Sequence, residues 1–375
     1  MAGAVRAVGL SVALVLGVLA GGCGDDPPPA SARPQKTTAG DRFFKVDTHT
    51  HFGPAAAGRM VALMDRYGID VVVNLSGRSP GRGLEAQLAA ARAHPGRIVV
   101  FCNLDWRLAL TGPGYGARMA AQVEAAHALG ARGLKIFKGL GLGYRDYRGR
   151  LIPVDDPELD PVFETAGRLG MPVAIHTGDP VAFWQPPGPQ NERRAELSVH
   201  PQWSLYGKDV PSWEDLFAQL SRRIARHPHT TFISVHFGNA PEYPERVRHI
   251  LATYPNVYID TAARIPEIGR RPPAVIRKLF VDFQDRILFG TDLGVPARGA
   301  LSLGSSGASP PDRAEIDRFF ASTWRYFETA DQNFAHPTPI QGDWTIDAID
   351  LPDAVLRKVY GDNARRLFGL SQPRR

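Results

Sequence analysis

The sequence predicts an α/β fold, specifically a (β/α)8 TIM barrel with an elaborated loop after the fifth strand. From Phe43 onward, apolar runs of strand-like composition alternate with helix-like stretches at a regular pace. Eight such runs can be counted, each followed by a helix, which is the number that closes a parallel barrel. The residues best suited to chemistry also fall where these runs end, and a barrel carries its site at the carboxyl ends of its strands.

Each element follows from a local pattern. The apolar entry Phe43–Val46 leads into the first strand, and Gly53-Pro54 ends it. The β-branched run Ile69–Leu75 suits a strand that is buried on both faces. The predicted strands cover residues 46–51, 69–75, 97–104, 132–137, 171–176, 230–236, 257–260 and 287–292. The predicted helices cover residues 58–67, 83–94, 117–129, 156–169, 212–227, 241–254, 272–282, 312–329 and 352–368. Thr177–Pro211, rich in Pro, Trp and Gly, predicts the loop.

Composition limits the class of protein. The chain has 375 residues, 43% of them hydrophobic, so it can bury one large barrel core. Its net charge of +6 is spread along the chain, without a Lys/Arg block that has interleaved aromatic residues. We therefore expect no nucleic-acid binding. The sequence does not predict an oligomeric state.

The amino terminus predicts export and a lipid anchor. Arg6 precedes an apolar run over residues 7–20, which is too short to span a bilayer and typical of a signal peptide. The run ends in Leu19-Ala20-Gly21-Gly22-Cys23, which resembles a bacterial lipobox. We expect a signal peptide over residues 1–22, lipidation at Cys23, and a tether over residues 23–41 that has almost nothing to bury. The protein would then be anchored in the bacterial cell envelope, the alternative being an ordinary secretory signal.

Five residues of metal-ligand type fall at the predicted strand ends. His49 and His51 end the first strand with the i, i+2 spacing that puts them on one face, His176 ends the fifth, His236 ends the sixth and Asp292 follows the eighth. Imidazole and carboxylate ligands suit Zn²⁺, and also Fe²⁺, Mn²⁺ or Co²⁺. A metal-bound water has a pKa of about 7. Asp292 would accept its proton, and His236 would polarise a carbonyl or protonate a leaving group.

These residues carry a resemblance to a known family. The sequence is similar to the amidohydrolase superfamily, in its amidohydrolase-related branch, which includes aminocarboxymuconate-semialdehyde decarboxylase. The motifs are His49-Thr50-His51, His176-Thr177-Gly178, His236-Phe237-Gly238-Asn239, Gly290-Thr291-Asp292 and the closing segment 356–368. The resemblance implies a barrel domain over residues 42–370. It also implies one divalent metal ion, Zn above all, bound by His49, His51, His176 and Asp292.

Two cations are expected to bind the substrate. Lys135, in the predicted fourth strand, resembles the carbamylated lysine that bridges two metals in hydantoinases and dihydroorotases. A carbamylated Lys135 would imply two metals per chain, whereas an ordinary ammonium would pair with a substrate carboxylate. Arg264, soon after the seventh strand, lies at the same rim and would grip an anionic substrate or form a salt bridge within the rim.

Three functions remain open at the level of sequence. The first is a metal-dependent hydrolase in which activated water attacks a C–N or C–O bond of a small carbonyl compound. The second is a non-oxidative decarboxylase of an aromatic or enoic acid, which the same ligand set would serve. The third is a non-catalytic barrel lipoprotein that acts as a binding module, which predicts loss of the ligand residues. All five positions are retained, so we expect an enzyme.

Overall fold

A curled, mainly parallel sheet forms the centre of the molecule in the computed structural model, which describes residues 43–371. The sheet is ordered β10-β9-β1-β2-β3-β4-β5-β6-β7-β8. Its strands are β1 (Val46–Phe52), β2 (Val71–Asn74), β3 (Ile98–Asn103), β4 (Gly133–Ile136), β5 (Val173–Ile175), β6 (Phe232–Ser234), β7 (Val257–Asp260), β8 (Ile287–Leu288), β9 (Leu293–Val295) and β10 (Ser302–Leu303). A separate hairpin pairs β11 (Phe334–Ala335) with β12 (Thr345–Ile346).

Strands β1 to β8 pair in parallel with their neighbours in chain order, as the sequence predicts. The two ends of the sheet meet, because the backbone N–H of Thr48 donates to Phe289 O over 2.9 Å just after β8. Strand β9 continues this contact and pairs in parallel with β1. The α/β prediction is therefore confirmed, and the curled sheet is consistent with a TIM barrel.

Four short helical segments, Gly139–Leu142, Arg194–Val199, Val235–Gly238 and Ile265–Gly269, were not predicted. All the others follow the predicted segments to within a few residues. The helices surround the sheet. They are α1 (Ala57–Tyr67), α2 (Leu84–Arg92), α3 (Tyr115–Leu129), α4 (Gly139–Leu142), α5 (Asp160–Arg168), α6 (Arg194–Val199), α7 (Trp213–Arg226), α8 (Val235–Gly238), α9 (Pro244–Thr253), α10 (Ile265–Gly269), α11 (Pro273–Asp282), α12 (Arg313–Glu328), α13 (Asp353–Arg357) and α14 (Asn363–Phe368). A π-helical turn over Lys358–Asp362 joins the last two.

Helix α7 illustrates how the sequence determines these elements. Ser212 and Asp215 form a capping box at its amino end, which satisfies backbone N–H groups that have no partner inside the helix. Leu216, Leu220 and Ile224 follow at intervals of four residues and are buried. This spacing places them on one face, so the helix packs that face on the sheet.

Apolar side chains fill the end of the barrel at which the strands begin. They form one buried cluster, whose strand members include Val46, Val71, Val73, Val99, Phe101, Ala174, Ile233 and Leu288. Phe368 of α14 closes this end, with its ring edge-on to Phe101 at a centroid distance of 5.6 Å. Since the interior is packed here, polar groups and any ligand are confined to the opposite end, where the strands finish.

The predicted signal peptide over residues 1–22, the lipidation site Cys23 and the tether over residues 23–41 lie outside the described residues. Of the helices between residues 43 and 371, none combines the length and apolarity that a membrane crossing requires.

Candidate metal centre

Strand β1 places two histidines at the rim of the barrel, and a hydrogen bond to the Nδ1 atom of each ring fixes its orientation. The Nδ1 atom of His49 lies 2.7 Å from Asp260 Oδ2, at the end of β7, and Nδ1 of His51 lies 2.8 Å from Ser76 Oγ. Because the carboxylate accepts, Nδ1 of His49 carries the hydrogen and Nε2 presents a lone pair. Both Nε2 atoms then face Asp292, which is the orientation that metal-binding histidines adopt.

Asp292 completes a three-residue donor set. Its Oδ1 lies 3.4 Å from His49 Nε2 and 3.3 Å from His51 Nε2. A tetrahedral metal with bonds of about 2.0–2.1 Å separates its ligands by about 3.3–3.4 Å, so the spacing fits a shared ion. Burial alone raises the pKa of Asp292, whereas positive charge at His49 and a hydrogen bond from His51 would lower it below its usual range. A bound cation would supply the same positive charge beside neutral imidazoles and keep the carboxylate ionised, as a ligand must be.

Asp260 holds two elements of the site through hydrogen bonds to both of its carboxylate oxygens. His49, His236 and Asp260 also lie close enough to one another to be read as a second donor group. However, Oδ1 of Asp260 accepts from the backbone N–H of His236 at 2.7 Å and of Ala262 at 3.2 Å, while Oδ2 accepts from His49. These bonds use three of the roughly four acceptor positions of a carboxylate, so we assign Asp260 as the partner that fixes the His49 tautomer.

His236 stands on a left-handed turn. The φ angles of His236, Phe237, Gly238 and Asn239 are +54°, +55°, +72° and +57°. This backbone costs roughly 1–2 kcal/mol for each residue that is not glycine. The turn is held by Asp260, which accepts from the His236 N–H, and by Asn239, whose side-chain oxygen accepts from Thr177 N–H at 2.9 Å. Nδ1 of His236 donates to Ala262 O at 2.9 Å, so its Nε2 also presents a lone pair.

His176 comes close to this centre but lies outside the three-residue donor group. Strand β5 ends at Ile175, and the His176 ring packs edge-on against His236 with centroids 4.3 Å apart. Its Nε2 lies 3.9 Å from Oδ1 of Asp179, a buried carboxylate that Lys138 also binds. The role of His176 as a fourth ligand stays a prediction.

Three of the predicted site histidines, His49, His176 and His236, are neutral. Burial, followed by the charge of Lys135, lowers the pKa of His49 well below its usual value. Burial and the Arg264 charge do the same for His236, and burial with the neighbouring His236 does so for His176. Neutral imidazole is the form that binds a metal ion, so the electrostatics favour a cation here.

Lys135 and Arg264 bring two positive charges to the centre. Lys135 is buried, and its Nζ lies 3.5 Å from His49 Nε2. Burial lowers the pKa of its ammonium to about 8. Arg264 is 7% exposed and donates to Ala263 O. Within residues 43–371, neither side chain has a carboxylate within ion-pair distance, so the alternative of a rim salt bridge for Arg264 is not what the structure contains.

Four residues of the site were missed by the sequence analysis. Asp260 and Ser76 fix the two ligand rings, and Asp179 contacts His176. Asp47 is fully buried and accepts from Thr291 N–H and Oγ1, which ties β1 to the segment that carries Asp292. Burial raises the pKa of Asp47 to about 7. The available signal was a carboxylate at a strand end, which Asp260 carries in the sequence Val-Tyr-Ile-Asp.

The segment after β5 is joined to two other loops of the same rim. Arg193 and Glu267 are fully buried and form an ion pair, and Arg193 also binds Glu196 at 2.8 Å. Glu196 in turn accepts from Ser305 Oγ at 2.5 Å. Glu267 belongs to α10, the helix that begins directly after Arg264. The cluster therefore connects the predicted loop to the helix that positions one of the two site cations.

Comparison with known proteins gives a family over nearly the whole described chain. Residues 46–370 match the family model described as Amidohydrolase. No curated protein has significant sequence similarity to the chain.

Solved structures share the fold at low sequence identity. A 2,6-dihydroxybenzoate decarboxylase from Rhizobium is 18% identical, with a TM-score of 0.50, over 88% of this chain and 99% of that one. The complex of such a decarboxylase with 2,6-dihydroxybenzoate gives 18% identity and a TM-score of 0.51, over 88% and 100%. A dihydroxybenzoic acid decarboxylase from Polaromonas sp. JS666, with bound manganese and the inhibitor 2-nitroresorcinol, is 17% identical, with a TM-score of 0.50 over 88% and 98%.

Proposed function

The chain belongs to the amidohydrolase family, and on that premise we propose that it is a metal-dependent enzyme that removes CO₂ from a small aromatic or enoic acid. From the sequence alone, the first expectation is a hydrolase. We now place decarboxylation ahead of it. Every substrate of a decarboxylase carries a carboxylate, whereas a hydrolase substrate need not.

The two site cations carry the proposal. Lys135 and Arg264 are buried beside the His49, His51 and Asp292 donor set without a carboxylate partner among the described residues. Asp260 and Asp292 stabilise the Lys135 ammonium only from beyond ion-pair distance. Burying a charge without a contacting partner is costly, so a site that keeps two such cations is suited to an anionic ligand. A substrate carboxylate would supply the missing partner.

Beside the cations lies an aromatic surface. The half-buried ring of Phe137 packs against His51 with centroids 5.8 Å apart. Lys135 Nζ lies 5.6 Å from the centroid of the same ring, so an aromatic side chain and a cation are adjacent, and a planar acid could contact both. This supports an aromatic or enoic acid over a flexible aliphatic one.

The donor set and the cations divide the chemistry between them. His49, His51 and Asp292 would hold the metal, with His176 as the proposed fourth ligand. A bound divalent metal supplies a Lewis acid that holds and polarises the substrate. The bond from the substrate carbon to its carboxyl group breaks, CO₂ leaves, and the electron pair remaining on carbon takes a proton. Water supplies this proton, and we assign its transfer to the carbon to Nε2 of His236 or to Asp292 after either has taken the proton from water.

The shared fold of dihydroxybenzoate decarboxylases is in keeping with this proposal and suggests hydroxybenzoates as first substrates and manganese as a metal to test beside zinc.

Hydrolysis remains the second candidate because of His236. Its Nε2 has a lone pair and no hydrogen-bond partner among the described residues. His236 is therefore a second group, in addition to Asp292, that could take a proton from water. The same donor set would then activate water.

One experiment separates the two reactions. Purified protein loaded with Zn²⁺ or Mn²⁺ is incubated with hydroxybenzoates, esters, lactones and amides in D₂O and, separately, in ¹⁸O-labelled water. Decarboxylation predicts CO₂ release with one deuterium at the former carboxyl-bearing carbon. Products carrying ¹⁸O without CO₂ release would establish hydrolysis instead. If both metals bind and neither reaction occurs across the panel, a non-catalytic binding module becomes the better explanation.

For location, we propose that the barrel over residues 42–370 is exported and held at the bacterial envelope by a lipid on Cys23. The lipobox-like sequence supports this proposal. Cys23→Ala should leave the rate unchanged and release the protein from membranes, as measured by fractionation. Full retention in the membrane fraction would contradict the anchor.

A further inference from the structure

A basic recess lies on the same rim as the metal centre, above the ends of β2 and β3. Its volume is about 330 Å³, within the size range of small-molecule sites. The lining residues are Arg78, Ser79, Arg82, Asn103, Leu104, Asp105 and Arg107. Two residues before Arg78, Ser76 holds the ring of the proposed ligand His51. The recess is therefore a neighbour of the metal centre, formed by different side chains.

Positive charge exceeds negative charge in this recess. Three arginines and one aspartate line it, which leaves a net charge of +2. Asp105 binds Arg107 with both oxygens and lies 3.6 Å from Arg82 Nε. Arg78 has no carboxylate within ion-pair distance among residues 43–371. Asp105 thus interacts with the guanidinium groups of Arg82 and Arg107, whereas the guanidinium of Arg78 is available to a ligand.

Arg78 is held in place by its backbone and by the residue beneath it. Its φ is +67°, an uncommon conformation for a residue other than glycine. Asn103 stabilises it twice, because the Arg78 N–H donates to Asn103 Oδ1 at 2.7 Å and the Asn103 N–H donates to Arg78 O at 2.8 Å. The Arg78 side chain crosses Gly83, where a Cβ atom would lie 3.0 Å from Arg78 Cδ. This arrangement fixes the backbone from which the Arg78 guanidinium extends toward the recess.

We propose that the recess binds a doubly charged oxyanion of the size of phosphate, either free or as the terminal group of a small molecule. A phosphate monoester carries a charge of about −1.5 to −2 at pH 7, which matches the excess charge of the recess, and free phosphate approaches this charge as the pH rises above 7. Its oxygens accept several hydrogen bonds, and the planar guanidinium groups donate them in pairs. Ser79, which is buried at the edge of the recess, adds a hydroxyl donor.

Calorimetric titration of the purified full chain with inorganic phosphate tests this site. Arg78→Gln should weaken phosphate binding about tenfold or more, because it removes a charge-assisted donor pair. The matched control is Arg357→Gln, which removes an exposed arginine elsewhere and should change the affinity by less than about twofold, since distant exposed charges are screened.

The outcomes separate the possibilities. Equal weakening by Arg78→Gln and Arg357→Gln would mean general charge attraction and overturn the proposal. Binding that Arg78→Gln leaves unchanged would assign the anion to the metal centre and also overturn it, as would no binding by the parent protein. A parallel titration with glycerol phosphate identifies the form bound. Tighter binding of the ester than of inorganic phosphate would assign the recess to a terminal phosphate group, and the reverse order would assign it to the free anion.

Discussion

Replacing Asp260 with asparagine tests the role of the carboxylate behind the metal centre. Asp260 accepts three hydrogen bonds, from His49 Nδ1 at 2.7 Å, from His236 N–H at 2.7 Å and from Ala262 N–H at 3.2 Å. An asparagine has one oxygen and one NH₂ group, so one of these donors must face another donor. The side chain is nearly isosteric, so the change acts on hydrogen bonding and charge.

Both orientations of the asparagine have a calculable cost. If its NH₂ faces the two backbone N–H groups, each buried donor left unpaired costs about 1–3 kcal/mol of folding free energy. The left-handed turn at His236 then also loses its acceptor. If the NH₂ faces His49, the imidazole must move its hydrogen to Nε2, which removes the lone pair needed by the metal. We expect the second orientation to dominate and metal affinity to fall about 10–100-fold.

Competition with a fluorescent chelator measures the metal affinity, and urea unfolding of the metal-free protein measures stability. Asp285→Asn is the matched control, since Asp285 is exposed, pairs with Lys358 and lies just before the start of β8, at the end of that strand away from Asp292. It should leave metal affinity unchanged. If Asp260→Asn binds zinc as tightly as the parent and unfolds at the same urea concentration, the assignment of Asp260 as the orienting partner of His49 is wrong.

Other changes test the remaining parts of the site. Asp292→Asn should lower kcat on the order of 10²-fold or more, as loss of a general acid or base does, and an unaltered rate would exclude Asp292 from the mechanism. Arg264→Gln should raise KM for a carboxylate substrate about tenfold, with metal content unchanged, and an unchanged KM would remove the arginine from substrate binding. Lys135 has a folded pKa of about 8 against an ordinary value of 10.5, so its burial penalty is fully present below pH 8 and is relieved as the pH rises to about 10.5. Metal-free Lys135→Met protein should therefore unfold at higher urea than the parent below pH 8, with the difference shrinking toward pH 10, whereas a pH-independent difference would contradict the lowered pKa. Metal analysis should find one ion per chain, and close to two would favour a carbamylated Lys135.

The sequence predicts the strands and helices well because each has a strong local pattern. The helix predicted over residues 117–129 is found at Tyr115–Leu129, and the strand predicted over 257–260 is found there. Strands β9 and β10 were not predicted, since they contain three and two residues and carry no periodicity to detect. The hairpin of β11 and β12 was missed for the same reason.

The site could be predicted only in part because its support is non-local. His49, His51 and Asp292 were identifiable from residue type and strand position, and the structure brings them together. Asp260 is 211 residues from His49, and a lone aspartate at a strand end does not identify its partner. The position of His176 depends on where β5 ends relative to the His236 turn, which no sequence period determines.

The left-handed turn at residues 236–239 also limits how the protein can be engineered. Phe237 is fully buried in the core while its φ is +55°, so packing and backbone preference make opposite demands on one residue. Glycine there would relax the main chain and open a void, and a β-branched residue would fit neither requirement. Libraries aimed at heat tolerance should therefore leave positions 236 and 237 unvaried. The strained backbone at these positions orients the His236 imidazole. A substitution that relieved the strain would raise thermal stability but turn this ring away from the site.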